Sequence, residues 1–351
     1  MKTGKISDNV LKRSVLREIK HHRDEVSKGA DVGLDCALLL SEATAKVAVC
    51  TDTGLAGIPD YQDMISISVQ NVIGNLVASF AAPSAIFANV ILPEDAEEDL
   101  LKDMMRALEQ AAGLWNVQVA GGHTEVSRAV KEPLITLTGV GALEEHQQEK
   151  SGKTKTIADF KKAVQGDNAP FLDLVVTNHV GLEGTILLAK NGKKSLLTRY
   201  PEKLIEDAID FSNYLTLLPE AAHAAMSGVC KMHDISRGGI FGALWELAMA
   251  AGAGLDVDLK KIPIRQETVE ICNHFAVNPY ELLSGGSFLM VAEDGSMVVD
   301  SLEEMGIPAA VIGHLTCGND KIIRNGEDVR FLDRPKQDEI YRFLGGTEWW
   351  N

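Results

Sequence analysis

Residues 67–93 read ISVQNVIGNLVASFAAPSAIFANVILP. The first part is a helix of small and aliphatic residues, Pro83 marks a turn, and AIFANVIL is a strand. Upstream, Lys46–Asp52 (KVAVCTD) reads as a buried strand that ends on a carboxylate. Downstream, Pro93 opens a helix whose first turns carry Glu94, Asp95, Glu97, Glu98 and Asp99, where the helix dipole favours acids. Leu101, Met104, Met105, Leu108 and Ala112 line its inner face, and Gly113 is its expected stop. AGGHTEV, Ala120–Val126, follows as a polar turn, and PLITLTGVGAL closes the unit as a strand. The order is strand, helix, strand, helix, strand.

Further out, Ser7 or Asp8 can cap a first helix that shows Leu11, Val15 and Ile19 on one face. Between Glu144 and Pro170 the pattern fails, and the charged stretch joins two domains, taken as 1–160 and 161–351. The second half resumes with the strand LDLVVT and the helix EGTILLAKNG. A long amphipathic helix follows over Pro201–Leu218. VCKMHDISRGG leads into a helix over IFGALWELAMAAG, then come the strand SFLMVA and a helix and strand ending at AAVIGHL. Alternating strands and helices in both halves give two mixed α/β units, with spacing that allows parallel or antiparallel pairing.

The chain has 351 residues, 45% of them apolar, which is enough for two cores. A net charge of -16 repels nucleic-acid backbones and argues against binding them. The five cysteines, Cys36, Cys50, Cys230, Cys272 and Cys317, include no CxxC pair and suit a reducing, cytoplasmic setting. No run of about 18 apolar residues is present, so no membrane span is expected.

Standard nucleotide signatures are missing. SGKT at 151–154 lacks the preceding glycine of a P-loop, since Gln147 stands there, and GVGALE at 139–144 lacks the third glycine of a dinucleotide fingerprint. What remains is a set of acids and glycines at strand ends: Asp35 in GLDCA, Asp52 in CTDTG, Glu125 in GGHTE and Asp234 in HDISRGG. Hard oxygen ligands suit Mg2+, and glycines let backbone amides approach phosphate. Each acid is equally readable as a cap or turn residue, and His123 as a hydrogen-bonded turn residue or a base.

The ordered series GLDCALL, CTDTG, NLVASFAAP, VAGGHTEV, LTGVG, DLVVTNHVGLEGTILLA, MHDISRGGIFGALWELA and NPYELLSGGSFLMVAEDG resembles the aminoimidazole ribonucleotide synthetase-like (PurM-like) superfamily, over roughly residues 4 to 316. That group includes the purine cyclo-ligase, selenophosphate synthetase, thiamine-phosphate kinase and the hydrogenase-maturation carbamoyl dehydratase; the second half is most similar to the last branch. The resemblance implies two α/β domains, the N-terminal ones pairing into a homodimer around a shared β-barrel. It implies ATP and Mg2+ near that interface, and activation or phosphorylation of an oxygen on a small-molecule substrate. Matched position by position, Asp35, Asp52 and Glu125 would hold metal. The same three with Asn75, Gly121, Gly122 and Thr124 would hold nucleotide, and His123 is the catalytic candidate.

Two departures from the family pattern stand out. Leu76 falls where the aspartate of an Asn-Asp pair is expected, and Phe80 where the glycine of a Gly-Ala-x-Pro turn is expected. The chain also ends GGTEWWN, without the terminal cysteine of the hydrogenase-maturation enzymes, and Trp349 and Trp350 are expected to pack on a partner subunit. The competing expectations are a non-catalytic nucleotide sensor or protein-binding scaffold and, more remotely, the purine cyclo-ligase itself.

Overall fold

The computed structural model describes residues 26–28, 31–34, 36–40, 46–143, 172–215 and 228–344, with positions 8, 9, 12 and 16. Most of the expected first helix, together with Asp35, the joining segment with the boundary near residue 160, and the tryptophan pair, lies outside the described residues.

The first unit holds β1 (Val26–Lys28), β2 (Ala37–Leu40), β3 (Lys46–Thr53), α1 (Tyr61–Ala78), β4 (Ala81–Leu92), α2 (Glu98–Leu114), β5 (Gln118–Val126) and β6 (Leu134–Leu143). Its sheet runs β1-β2-β3-β6-β4-β5, antiparallel except for the β4–β5 pair. Asp60 caps α1, its Oδ1 accepting from the Gln62 amide at 2.8 Å. Almost every α1 side chain from Met64 to Ala78 is buried, because the helix is covered on one side by its own sheet and on the other by the second unit. Gly139 on β6 makes that fit possible: a Cβ there would lie 2.2 Å from Val72 Cγ1 of α1.

The second unit holds β7 (Leu172–Thr177), α3 (Leu182–Asn191), α4 (Glu202–Ile209), β8 (Val229–Asp234), α5 (Gly239–Ala251), β9 (Gly254–Asp258), α6 (Gln266–Phe275), β10 (Phe288–Ala292), α7 (Gly295–Glu304), β11 (Ala309–Thr316), β12 (Lys321–Asn325) and β13 (Asp328–Phe331). Its sheet is ordered β13-β12-β9-β11-β7-β10-β8, and only β12–β9 is parallel. The strand β11 sits at its centre with β7 beside it, and β10, the next strand, is buried at every position. The fold is therefore mixed α/β in two sheets, as expected, with antiparallel pairing dominant.

Four local expectations are corrected. Pro83 lies inside β4, not in a turn; β5 begins pairing only at Ala85, so the missing proline N–H falls where β4 has a single neighbour. The turn before β4 is Ser79–Phe80 instead. AGGHTEV is strand β5 at the sheet edge, with Ala120 as the extra residue of a bulge opposite Ile86 and Phe87. Gly113 does not stop α2, which runs to Leu114 and ends where Asn116 takes a φ of 53°. The helix expected over 201–218 breaks after Ile209, with Asp210 as its cap.

Candidate functional site in the seam between the two units

β3 delivers Asp52 to the face that α1 covers, two residues beyond the buried Cys50, whose Sγ meets the Val72 carbonyl at 3.4 Å. There the Asn71 Nδ2 of α1 donates to Asp52 Oδ2 at 3.0 Å. From the other unit comes Arg237, on the SRGG turn that links β8 to α5. Its Nη1 donates to Asp52 Oδ1 at 2.6 Å, and Nη2 donates to the Thr53 carbonyl. Both partners are largely buried, with side-chain exposures of 17% and 15%, so this pair is shielded from solvent rather than a surface contact.

Several buried polar groups surround it. Glu183, in the first turn of α3, is 1% exposed. Neither of its carboxyl oxygens forms a regular hydrogen bond, and both press on the backbone of Gly285, where a Cβ would lie 2.5 Å from Oε2. Burial pushes the Glu183 carboxyl up to about 8, opposed by the Arg237 guanidinium and the Gly285 backbone amide and reinforced by Asp338 and Asp52. The Asp338 carboxylate caps α5, accepting from the Gly238 amide at 2.6 Å and the Ile340 amide at 2.9 Å, and burial pushes it up to about 6. Asn71 Oδ1 and Arg237 Nε are buried without hydrogen-bond partners. A buried seam with one cation, three acids and orphaned donors and acceptors is rare in a settled core. It is suited to take up a polar ligand or an ion.

The residues singled out from sequence divide into two groups. Asp52 is in the seam. Asn75 lies one turn along α1 from Asn71, half-buried, with its carbonyl 3.2 Å from Cys36 Sγ. Gly121, Gly122, His123, Thr124 and Glu125 lie on β5, all exposed. Asp52, Leu137, Ala88 and Gly122 form one row across the sheet, so β5 is three strands, or about 14 Å, from Asp52. The faces differ as well. His123 aligns through Asn89 and Thr136 with Thr53, the neighbour of Asp52 that points away from α1. His123 Nε2 and Glu125 Oε2 are 3.2 Å apart on that outer face, 67% and 51% exposed. Asp52 and Glu125 therefore do not converge on one ion within a single copy, and no cluster of three His, Cys, Asp or Glu side chains is present among the described residues.

Leu76 is also placed differently from the expectation. It is fully buried in the core, with its side chain packed toward Gly139, whereas Asn71 of the same helix reaches Asp52. Phe80 keeps a left-handed backbone with φ 58°, the conformation a glycine would supply at that turn. Arg237, Glu183, Asn71 and Asp338 carry the seam but were not singled out as site residues. Glu183 had a signal, an acid inside the apolar run GLEGTILLA, and Arg237 stood within the quoted SRGG.

Residues 33–143 match the family described as AIR synthase related protein, N-terminal domain, and residues 173–324 match AIR synthase related protein, C-terminal domain. The carbamoyl dehydratase HypE of Rhodobacter capsulatus is 26% identical over 255 residues, spanning 72% of this chain and 68% of that one. Among solved structures, E. coli HypE, a hydrogenase maturation protein, superposes with a TM-score of 0.65 at 18% identity, covering 91% of this chain and 95% of its own. A hydrogenase maturation protein HypE solved in complex with ATP gives a TM-score of 0.63 at 17% identity, covering 97% of both chains. No helix among the described residues is long and apolar enough to cross a membrane.

Proposed function

Because this chain belongs to the AIR synthase-related family, in its HypE-like branch, we propose that it is an ATP- and Mg2+-dependent enzyme that activates or phosphorylates an oxygen of a small-molecule substrate. The observation that carries the reading is the seam at Asp52. A carboxylate stands beside the buried, donor-free Asn71 Oδ1, and hard oxygens of this kind suit Mg2+. Asp52 and Asn71 would hold the metal, with nucleotide phosphates and water as its other ligands; Arg237 would face phosphate oxygens. Bound Mg–ATP would supply the phosphoryl group and neutralise charge on it. Positioning and charge neutralisation are what phosphoryl transfer mostly requires of a protein.

Asp35, Asn75, Gly121, Gly122, Thr124 and Glu125 remain proposed nucleotide-side residues, and His123 a proposed catalytic one. For the β5 group this reading needs a homodimer, since within one copy β5 is remote from Asp52. The outer face of the first sheet, with Phe87 42% exposed beside Gly121, carries no described helix and is the surface a second copy would cover. The acceptor is assigned only as a small molecule.

The test is calorimetry with Mg–ATP, followed by phosphate release. Asp52→Asn is expected to lower Mg–ATP affinity about tenfold or more, by removing a carboxylate and its charge from the metal's reach. Equal affinity in the two proteins would remove Asp52 from the site. Binding without turnover by the wild type would favour a nucleotide sensor, and no binding a scaffold.

A further inference from the structure

A pocket lies beside the SRGG turn, where β13 and the segment after it meet the start of α5. Gly238, Phe241, Asn278, Arg330, Phe331 and Arg334 line it, and its volume is about 120 Å³. The Phe241 ring stacks on Tyr280 with centroids 5.3 Å apart, and the Arg330 guanidinium lies over Phe241 at 5.7 Å. That contact holds the planar cation in place without spending any of its N–H groups. Among the described residues Arg330 has no hydrogen-bond or ion-pair partner, and Arg334 makes no hydrogen bond, ion pair or ring contact. Two acids also border the pocket, Glu281 and Asp333. Lys336 stands 3.7 Å from the first and 3.6 Å from the second, so both are set against that ammonium. Two guanidiniums are left over. Phe331, an exposed ring, adds an apolar wall.

We propose that this pocket binds a small planar acid, a single ring bearing a carboxylate or a phosphate. A guanidinium takes either anion through paired N–H···O bonds, and here two of them are unspent. An apolar cavity of roughly 150 Å³ holds benzene, so the space suits one ring with its acid group at the mouth. The ring lies against Phe331 and the acid reaches Arg330 and Arg334. Asn278 accepts from the Tyr280 amide through Oδ1 at 3.2 Å, which leaves Nδ2 to donate to the same anion. In a chain of net charge -16 the attraction for an anion has to be local, and these two cations supply it. The pocket adjoins the seam through Gly238, the neighbour of Arg237, yet uses none of Asp52, Asn71, Glu183 and Arg237. It stands apart from the Mg–ATP reading, and either can fail without the other.

The experiment is ligand-observed NMR titration of the full chain, without nucleotide, using benzoate, phenyl phosphate, inorganic phosphate and the neutral benzyl alcohol. Benzoate, phenyl phosphate or both are expected to bind at least about tenfold more tightly than benzyl alcohol, and the tighter of the two identifies the acid group. Arg334→Gln removes a cation with no contact to maintain, and is expected to weaken that binding about tenfold while leaving thermal unfolding unchanged. Phe331→Ala is expected to weaken the ring acids but not inorganic phosphate. Equal binding of the ring acids by wild type and Arg334→Gln overturns the site. So does binding of neither acid, or binding of benzyl alcohol as tight as theirs.

Discussion

Glu183 contributes to stability with an unusual sign. Its carboxyl has an ordinary value of 4.5 when unfolded and about 8 in the fold, because burial disfavours the charge. The unfolded state ionises first, so the cost to stability is absent below about 4.5, grows as pH rises, and is complete above about 8. Glu183→Gln carries no such cost and is expected to be more stable than the wild type at pH 7, by up to about 3 kcal/mol, with the difference shrinking towards pH 5. Thermal unfolding scans across that range check it; a variant less stable at pH 7 than at pH 5, relative to wild type, would contradict it. None of this was visible in GLEGT alone. The acid stood out from its apolar neighbours, but only the approach of Gly285 and other distant parts of the chain buries it.

Two glycines show how elements are fixed by what lies against them. Gly122 on β5 has φ +148°, and a Cβ there would lie 1.8 Å from the Ala88 carbonyl oxygen of β4. Gly122→Ala is expected to cost about 3 kcal/mol and to loosen β5 first, read as faster amide exchange in Gln118–Val126 than elsewhere. Gly113, within α2, has nothing within 4 Å of a Cβ and an ordinary helical backbone. Gly113→Ala should stabilise by about 0.5–1 kcal/mol, measured by denaturant midpoint. From sequence, Gly113 reads as a helix stop and the Gly121–Gly122 pair as a turn. The periodicity of α2, β3 and β6 was legible because each has a buried face that repeats regularly, and α1 because its small and aliphatic run is long and unbroken. The β5 strand was not, since an exposed edge strand has no apolar alternation to display.

At the scale of the molecule, the first sheet has one face covered by α1 and α2, and the other carries no helix among the described residues. Phe87 stands on that second face among Thr51, Thr138 and Gly121. If the proposed homodimer forms through this face, Phe87→Glu is expected to convert it to a monomer in sedimentation, with each monomer still folded; an unchanged dimer would place the interface elsewhere. The two units are tied by the packing of α1 on β8, by Arg237 to Asp52 of β3 and by Lys190 of α3 to Asp63 of α1 at 2.6 Å. The Lys190 pair is the more exposed, at 38% and 15%, and contributes less.

The sequence by itself determined the alternation of strands and helices, the two units, the family, and Asp52 as an acid at the end of a buried strand. Those features are local or rest on the order of motifs along the chain. The tertiary structure alone decided the pairing directions, the burial of Leu76, and the separation of Asp52 from His123 and Glu125 onto opposite sheet faces. It also assembled Asp52, Asn71, Glu183, Arg237 and Asp338 into one seam. The reason is geometric. Which face a strand residue takes follows from register, and register is set by neighbours far away in sequence. The seam adds residues 52, 71, 183, 237 and 338, whose proximity no local pattern encodes.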